Sequence, residues 1–269
     1  MNFENLKKPL LVALDVDGTI ARSDGSISEN TCKAVSKIRS AGIKVVIATG
    51  RPWTVALDSV NKVNGVDYII GSNGAMTLNW PEQEVLQDIY LSENLPKELV
   101  QQIRDIIPGI GCAFEFQRGV KAEPGLAERL PSGVSLGKPV MDVLTLNSRP
   151  VRKLLIWHDE YELSELEETI KEIIGERGQT ETSGLNFFQV GPAGINKASA
   201  LNILINKLDI SVDDVWAFGD EKNDIEMLKW AGKGFAMANA GPSVIESADL
   251  IAPNNDEDGV AKVLESLSL

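Results

Sequence analysis

Short apolar runs alternate with amphipathic stretches at both ends of the chain. Residues 10–14 (LLVAL) and 43–48 (IKVVIA) carry the pattern of strands buried on both faces in a parallel sheet. Between them, SENTCKAVSKIRSAG predicts a helix: Ser28 is the N-cap, Ala34, Val35 and Ile38 share one face, and Gly42 is the stop. A further strand is expected in DYIIGSNGA, 67–75. The last third repeats the rhythm. NKASALNILINKL sets Leu201, Leu204, Ile205 and Leu208 at helical spacing, followed by a strand in DVWAFGD, a helix around NDIEMLKWAG, and short strands in GFAMANA and ADLIAP. Both ends therefore read as α/β and together predict one doubly wound domain.

The middle is different. Its strands are less purely apolar (VRKLLIWHD), YELSELEETIKEIIGERG is a charged amphipathic helix, and glycine and proline punctuate 108–139. The expected organisation is a core of residues 1–84 and 191–269 interrupted by an α+β module at 85–190.

Ligands of open α/β sheets gather at the carboxyl ends of the strands. Four polar clusters fall just after an expected strand or at a helix start: Asp15-Val16-Asp17-Gly18-Thr19, Thr49-Gly50-Arg51, Lys197, and Gly219-Asp220-Glu221-Lys222-Asn223-Asp224. Each alone has an ordinary explanation as a capped turn, a strand-to-helix turn or a solvated lysine. Their order is harder to explain one by one. Asp15 and Asp17, separated by one residue, share a face in extended backbone.

In this order the clusters resemble the haloacid dehalogenase superfamily of phosphatases and phosphotransferases, and within it the Cof-type group with a large inserted cap. DVDGT matches the first motif, TGR the second, Lys197 the third and GDEKND the fourth, while SNGA and NDEDGVAKVLE also look like that group. The resemblance implies a Rossmannoid doubly wound parallel sheet with an inserted α+β cap. It further implies a phosphatase acting on small phosphate monoesters, such as sugar phosphates, through an aspartyl-phosphate. Splitting the reaction in two suits an ester whose dianion repels nucleophiles. Asp15 is then the nucleophile, and Asp17 the group that protonates the leaving oxygen and later deprotonates water. Crowded carboxylates call for a hard cation, implied to be Mg2+. Asp15 and Asp220 are its expected side-chain ligands, with the Asp17 carbonyl as a third. Asp224 is expected to orient Lys197 or a metal-bound water, or to ligate directly. Thr49, the Gly50 N–H, Lys197 and Asn223 would hold the phosphoryl oxygens.

Composition narrows the partners. The chain has 269 residues, 43% of them hydrophobic and 24% charged, which is globular composition. A net charge of −13 argues against broad nucleic-acid binding and requires that an anion's site be made locally positive. No apolar run approaches the roughly 20 residues of a membrane helix. The N-terminus reads as a mature start rather than a signal peptide. Cys32 and Cys112 have no metal-ligand spacing, which fits a reducing cytoplasm. The expected partner is a small phosphorylated metabolite, with no nucleic acid and no membrane; oligomeric state leaves no signature in the pattern.

Three alternatives compete. Gly133-Val134-Ser135-Leu136-Gly137 fits G-x-S-x-G, with Asp142 and His158 following in the order of a serine-hydrolase triad. The nucleophile elbow needs a strand before it and a helix after it, yet AERLPS precedes and Pro139 sits where the helix should begin. A phosphosugar mutase would use the same two aspartates. A non-enzymatic binding protein on this scaffold would have lost catalytic carboxylates, and every one is present. In the insert, Arg118, Lys121 and Trp157 are candidates to meet the leaving group, each against the simpler reading of a surface or core residue.

Overall fold

The computed structural model describes residue 3 and residues 6–130, 136–147, 149–182 and 186–269. In chain order the first elements are β1 (Leu11–Leu14), α1 (Glu29–Ser40), β2 (Lys44–Ala48), α2 (Trp53–Val63), β3 (Tyr68–Gly71), β4 (Met76–Asn79) and β5 (Val85–Asp88). The middle holds α3 (Leu95–Ile106), β6 (Gly111–Glu115), β7 (Val120–Ala122), β8 (Lys153–Trp157), α4 (Leu163–Ile174), β9 (Gly178–Glu181) and β10 (Phe188–Pro192). The last third comprises α5 (Lys197–Leu208), β11 (Val215–Gly219), α6 (Ile225–Trp230), β12 (Lys233–Met237), α7 (Pro242–Ile245), β13 (Leu250–Ala252) and α8 (Gly259–Glu265).

The chain forms two compact units, Met1–Asp88 with Asn196–Leu269, and Ile89–Ile195. The first is built on an eight-stranded sheet in the order β13-β12-β11-β1-β2-β3-β4-β5. Strands from β13 to β3 run parallel; β4 and β5 add on antiparallel at the edge. Leu11 and Ala13 pack on one face with Leu201 of α5, Met227 of α6 and Val244 of α7, while Val12 and Leu14 pack on the other with Val35 of α1, Val60 of α2 and Val263 of α8. Burial on both faces is why these strands read as unbroken apolar runs. Each such Val, Leu or Met side chain contributes about 1.5–3 kcal/mol. β1 lies between β2 and β11, where the winding reverses, so its carboxyl end opens at the switch point of the sheet.

Local signals match this frame. Ser28 caps α1 by accepting from the Thr31 amide, and Gly42 follows with φ +84°. Asn196 caps α5 in a reciprocal box with Ser199, which fixes Lys197 as the first helical residue. Val85–Asp88, assigned from the sequence to the insert, instead pairs with β4. Similarly, 191–195, assigned to the core, stays with the second unit. The expected strand over 67–75 stops at Gly71 and turns over through Ser72–Gly74, where Ser72 and Asn73 adopt left-handed φ.

The second unit is a five-stranded antiparallel sheet, β7-β6-β8-β10-β9, with α3 and α4 on one face over Cys112, Phe114, Leu154, Ile156 and Phe188. Its mixed strands have a specific cause. Arg152 and Lys153 are fully buried and both pair with Glu115; Lys153 Nζ also donates to Gln189 Oε1 at 2.6 Å. Cys32 and Cys112 are free thiols, and burial pushes Cys112 up strongly. Among the described residues, no helix is long and apolar enough to cross a membrane.

Candidate active site

The end of β1 delivers Asp15 into the interior at the sheet's carboxyl edge, its amide donating to Phe218 O of β11 at 3.0 Å. Across the switch point, β11 ends at Gly219 and hands over to Asp220 and then Asp224. Carboxylate oxygens of Asp15, Asp220 and Asp224 lie within 4.8 Å of one another, all buried. Lys197, 1% exposed, joins them: Nζ donates to Asp15 Oδ1 and to Asp224 Oδ1, each at 2.6 Å. Asp224 turns its other oxygen inward to accept from the amides of Asp220 and Glu221, at 3.0 and 3.1 Å. Thr19 Oγ1 donates to Asp220 Oδ1 at 2.8 Å.

Electrostatics follow from this packing. Burial pushes Asp15 well above the usual carboxylate range, although Lys197 opposes the shift. Burial likewise pushes Asp220 up to about 7, against the pull of the Thr19 hydrogen bond. For Lys197 burial works downward, but Asp15 and Asp224 outweigh it and hold the ammonium above its ordinary value. With all three buried carboxylates ionised, one ammonium leaves two formal negative charges to be balanced, and burial raises Asp15 and Asp220 for want of that balance. An all-oxygen cluster of that charge fits a hard divalent cation.

Two glycines make the approach possible. Gly18 has φ +75°, and a Cβ there would come within 2.1 Å of Asp220 Oδ2. Gly18→Ala is expected to displace Asp220 and lower kcat by about 10²-fold or more; a kcat within about threefold of the parent would show that the cluster has room to spare. At Gly50 a Cβ would meet Asn73 Oδ1 at 2.8 Å.

The phosphate-facing candidates converge as well. Thr49 is buried at the end of β2, accepting from the Arg51 amide through Oγ1, and its carbonyl takes the Asn73 amide at 3.1 Å. Asn223 Nδ2 donates to Asn73 Oδ1 at 3.1 Å, tying the fourth cluster to the loop after β3. Asp17 stands apart from the buried triad. Its side chain is half exposed, and both carboxylate oxygens accept from Arg51, Nε to Oδ2 at 2.7 Å and Nη2 to Oδ1. Arg51, Asn73 and Thr19 are parts of the site that the sequence reading passed over. Arg51 and Thr19 lay inside the quoted motifs, and Asn73 inside SNGA.

Comparison with known proteins decides the family. The family model for haloacid dehalogenase-like hydrolases matches residues 12–264, nearly the whole chain. The chain belongs to the haloacid dehalogenase-like hydrolases. It is 30% identical over 254 residues to 5-amino-6-(5-phospho-D-ribitylamino)uracil phosphatase YcsE of Bacillus subtilis, covering 94% of each chain. It is 29% identical over 236 residues to the HMP-PP phosphatase of Escherichia coli O157:H7, covering 87% of this chain and 86% of that one. A crystal structure of a haloacid dehalogenase-like hydrolase from Bacteroides thetaiotaomicron superposes with a TM-score of 0.82 at 30% identity, covering 96% of this chain and 99% of that one. This haloacid dehalogenase-like hydrolase, of the Cof-type group, is thus an enzyme of the phosphoric monoester hydrolase class.

The serine-hydrolase alternative finds no support in the enzyme's second unit. Ser135 lies outside the described residues. Asp142 caps the turn at Val143–Thr145 and pairs with Arg104 at 3.0 Å. His158 Nδ1 accepts from the amides of Glu160 and Tyr161, at 3.0 and 3.2 Å, leaving Nε2 to donate to Pro108 O at 3.0 Å. Both ring nitrogens are therefore engaged in holding the backbone. Of the leaving-group candidates, Trp157 is a buried core residue beneath Arg129, whereas Arg118 and Lys121 are exposed.

Proposed function

We propose that this chain is a Mg2+-dependent phosphatase of small phosphorylated metabolites, acting through an aspartyl-phosphate on Asp15. The observation that carries the reading is Lys197 bridging Asp15 and Asp224 inside the buried carboxylate cluster at the switch point. An Asp15 carboxylate oxygen attacks phosphorus in line as the ester P–O bond breaks, and Asp17, once it has left its pair with Arg51 and taken up a proton, passes that proton to the departing alkoxide. Water then attacks the aspartyl-phosphate, its proton returns to Asp17, and phosphate leaves with Asp15 regenerated. Lys197, the Gly50 N–H, Thr49 and Asn223 hold the phosphoryl oxygens as charge builds on them. Asp15, Asp220 and Asp224 would hold Mg2+ with the Asp17 carbonyl, and the bound ion would supply charge neutralisation at the phosphoryl group.

The two curated relatives act, by their names, on different phosphorylated compounds, which supports the class of small phosphorylated metabolites rather than one member. In this reading the inserted unit supplies the choice among esters, and the enzyme works in the cytoplasm without nucleic-acid or membrane partners. Phosphate release over a panel of phosphorylated metabolites, with Mg2+ and with EDTA, tests the proposal. Turnover on some member that EDTA abolishes is expected; no release from any, or release indifferent to EDTA, would overturn it.

The pH dependence has a definite sign. With no metal bound, the folded chain keeps on Asp220 a proton that the unfolded chain gives up near pH 4, so this group's contribution to stability falls as pH rises to about 7. Metal binding competes with that proton. The rise in Tm caused by Mg2+ is therefore expected to grow between about pH 5 and pH 8, and a shift that is flat over this range would contradict the assignment of Asp220 as a ligand.

A further inference from the structure

The loop that carries Asp17 is held from the opposite end of the chain. Asn255, 5% exposed in the turn after β13, donates from Nδ2 to Ala21 O at 2.9 Å. Ala21 bonds the Val16 carbonyl through its amide at 2.8 Å, and its backbone forms an isolated bridge with Asp17. Asn239, in the turn after β12, donates from Nδ2 to Gly18 O at 2.9 Å while its Oδ1 accepts the Asn255 amide at 3.1 Å. That pairing settles which end of the Asn239 amide is nitrogen, because a carbonyl partner needs a donor and an N–H partner needs an acceptor. The outer part of the loop is tied by Arg22 to Asp258 and by Ser23 to Asp256, at 2.7 and 2.8 Å. Those outer contacts are more exposed and worth correspondingly little. The inner pair takes hold of the Gly18 and Ala21 carbonyls, on both sides of Thr19-Ile20, so two strands that bring no carboxylate to the cluster still anchor the acid/base loop.

We propose that Asn255, seconded by Asn239, is a positioning residue for Asp17, setting the reach of its carboxyl toward the leaving oxygen. The inference rests on Asp17 being the acid/base of the proposed phosphatase. It therefore predicts a defect that depends on the leaving group. An alkoxide needs a proton as it departs; the p-nitrophenolate ion does not.

The test compares a hexose 6-phosphate turned over by the enzyme with p-nitrophenyl phosphate, in the full chain carrying Asn255→Ala or Asn255→Asp. Expected is a fall in kcat/KM of about tenfold or more on the sugar phosphate, against a change within about threefold on p-nitrophenyl phosphate, kcat/KM being the quantity compared because it reads the step in which the leaving group departs and not the later attack of water that both esters share. Equal losses on the two esters, or none, would overturn the proposal, since a general loosening of the fold does not discriminate between leaving groups. Should the Asn255 variants fail to fold, Asn239→Ala, at an exposed position, carries the same comparison. Asp17→Asn is the benchmark. If it shows the leaving-group asymmetry and the asparagine variants do not, only the positioning role falls; if it shows none, the acid/base reading falls and takes the positioning role with it.

Discussion

Asp15→Asn is expected to lower turnover by about 10⁴-fold or more while the chain remains folded. The amide keeps the shape of the carboxylate and can still accept from Lys197 through Oδ1, so the packing around the end of β1 survives. What is lost, in the proposed mechanism, is the anionic oxygen that attacks phosphorus. No neighbour replaces it: Asp224 has one oxygen on Lys197 and the other on two amides, and Asp220 is tied to Thr19. Burial of an uncharged side chain also removes the desolvation that pushes Asp15 upward, so the thermal midpoint is expected to hold or rise. Phosphate release and a melting curve on the same preparation check both halves. Near-parental turnover would remove Asp15 as the nucleophile, whereas an unfolded variant would mean that its charge is structural.

Lys197→Met is expected to cost both activity and stability. The ammonium pairs with both Asp15 and Asp224, and all three side chains are buried. Removing one partner of a buried pair leaves uncompensated charge, at a cost of about 3–5 kcal/mol. For a unit of this size, that is a fall in Tm of roughly 6–20 °C. The deficit should shrink as pH is lowered and the stranded carboxylates take up protons. Melts of parent and variant at several pH values measure this directly; a variant that melts with the parent at neutral pH would contradict the pairing.

Much of the core was legible because a parallel sheet covered on both faces writes itself as apolar runs, as in LLVAL and KVVIA. β5 escaped notice for the opposite reason. Val85–Asp88 is a half-exposed edge strand held by backbone pairing with β4, and it has no apolar run to mark it. The buried pair Arg152–Lys153 reads in sequence as surface charge until Glu115, far back in the chain, is placed beside it. At the site, the carboxylates and Lys197 were recognisable from residue type and order. Asn239 and Asn255 were not, since an asparagine in a turn already has a local explanation and the partner of Asn239, Gly18, is 221 positions away.

The division of the first unit into two separated stretches also orders events during synthesis. Of the two strands that flank β1, β11 is encoded about two hundred residues after it. At roughly 5–20 residues per second, the first strand waits on the order of ten to forty seconds for that neighbour. Lys197 and the fourth cluster arrive in the same late stretch, so a nascent chain carries Asp15, the proposed nucleophile, long before the rest of the site. The continuous unit Ile89–Ile195 is complete well before then. On the proposed roles of these residues, a chain truncated anywhere before β11 is expected to release no phosphate, and it leaves the central strand of the core with one edge open.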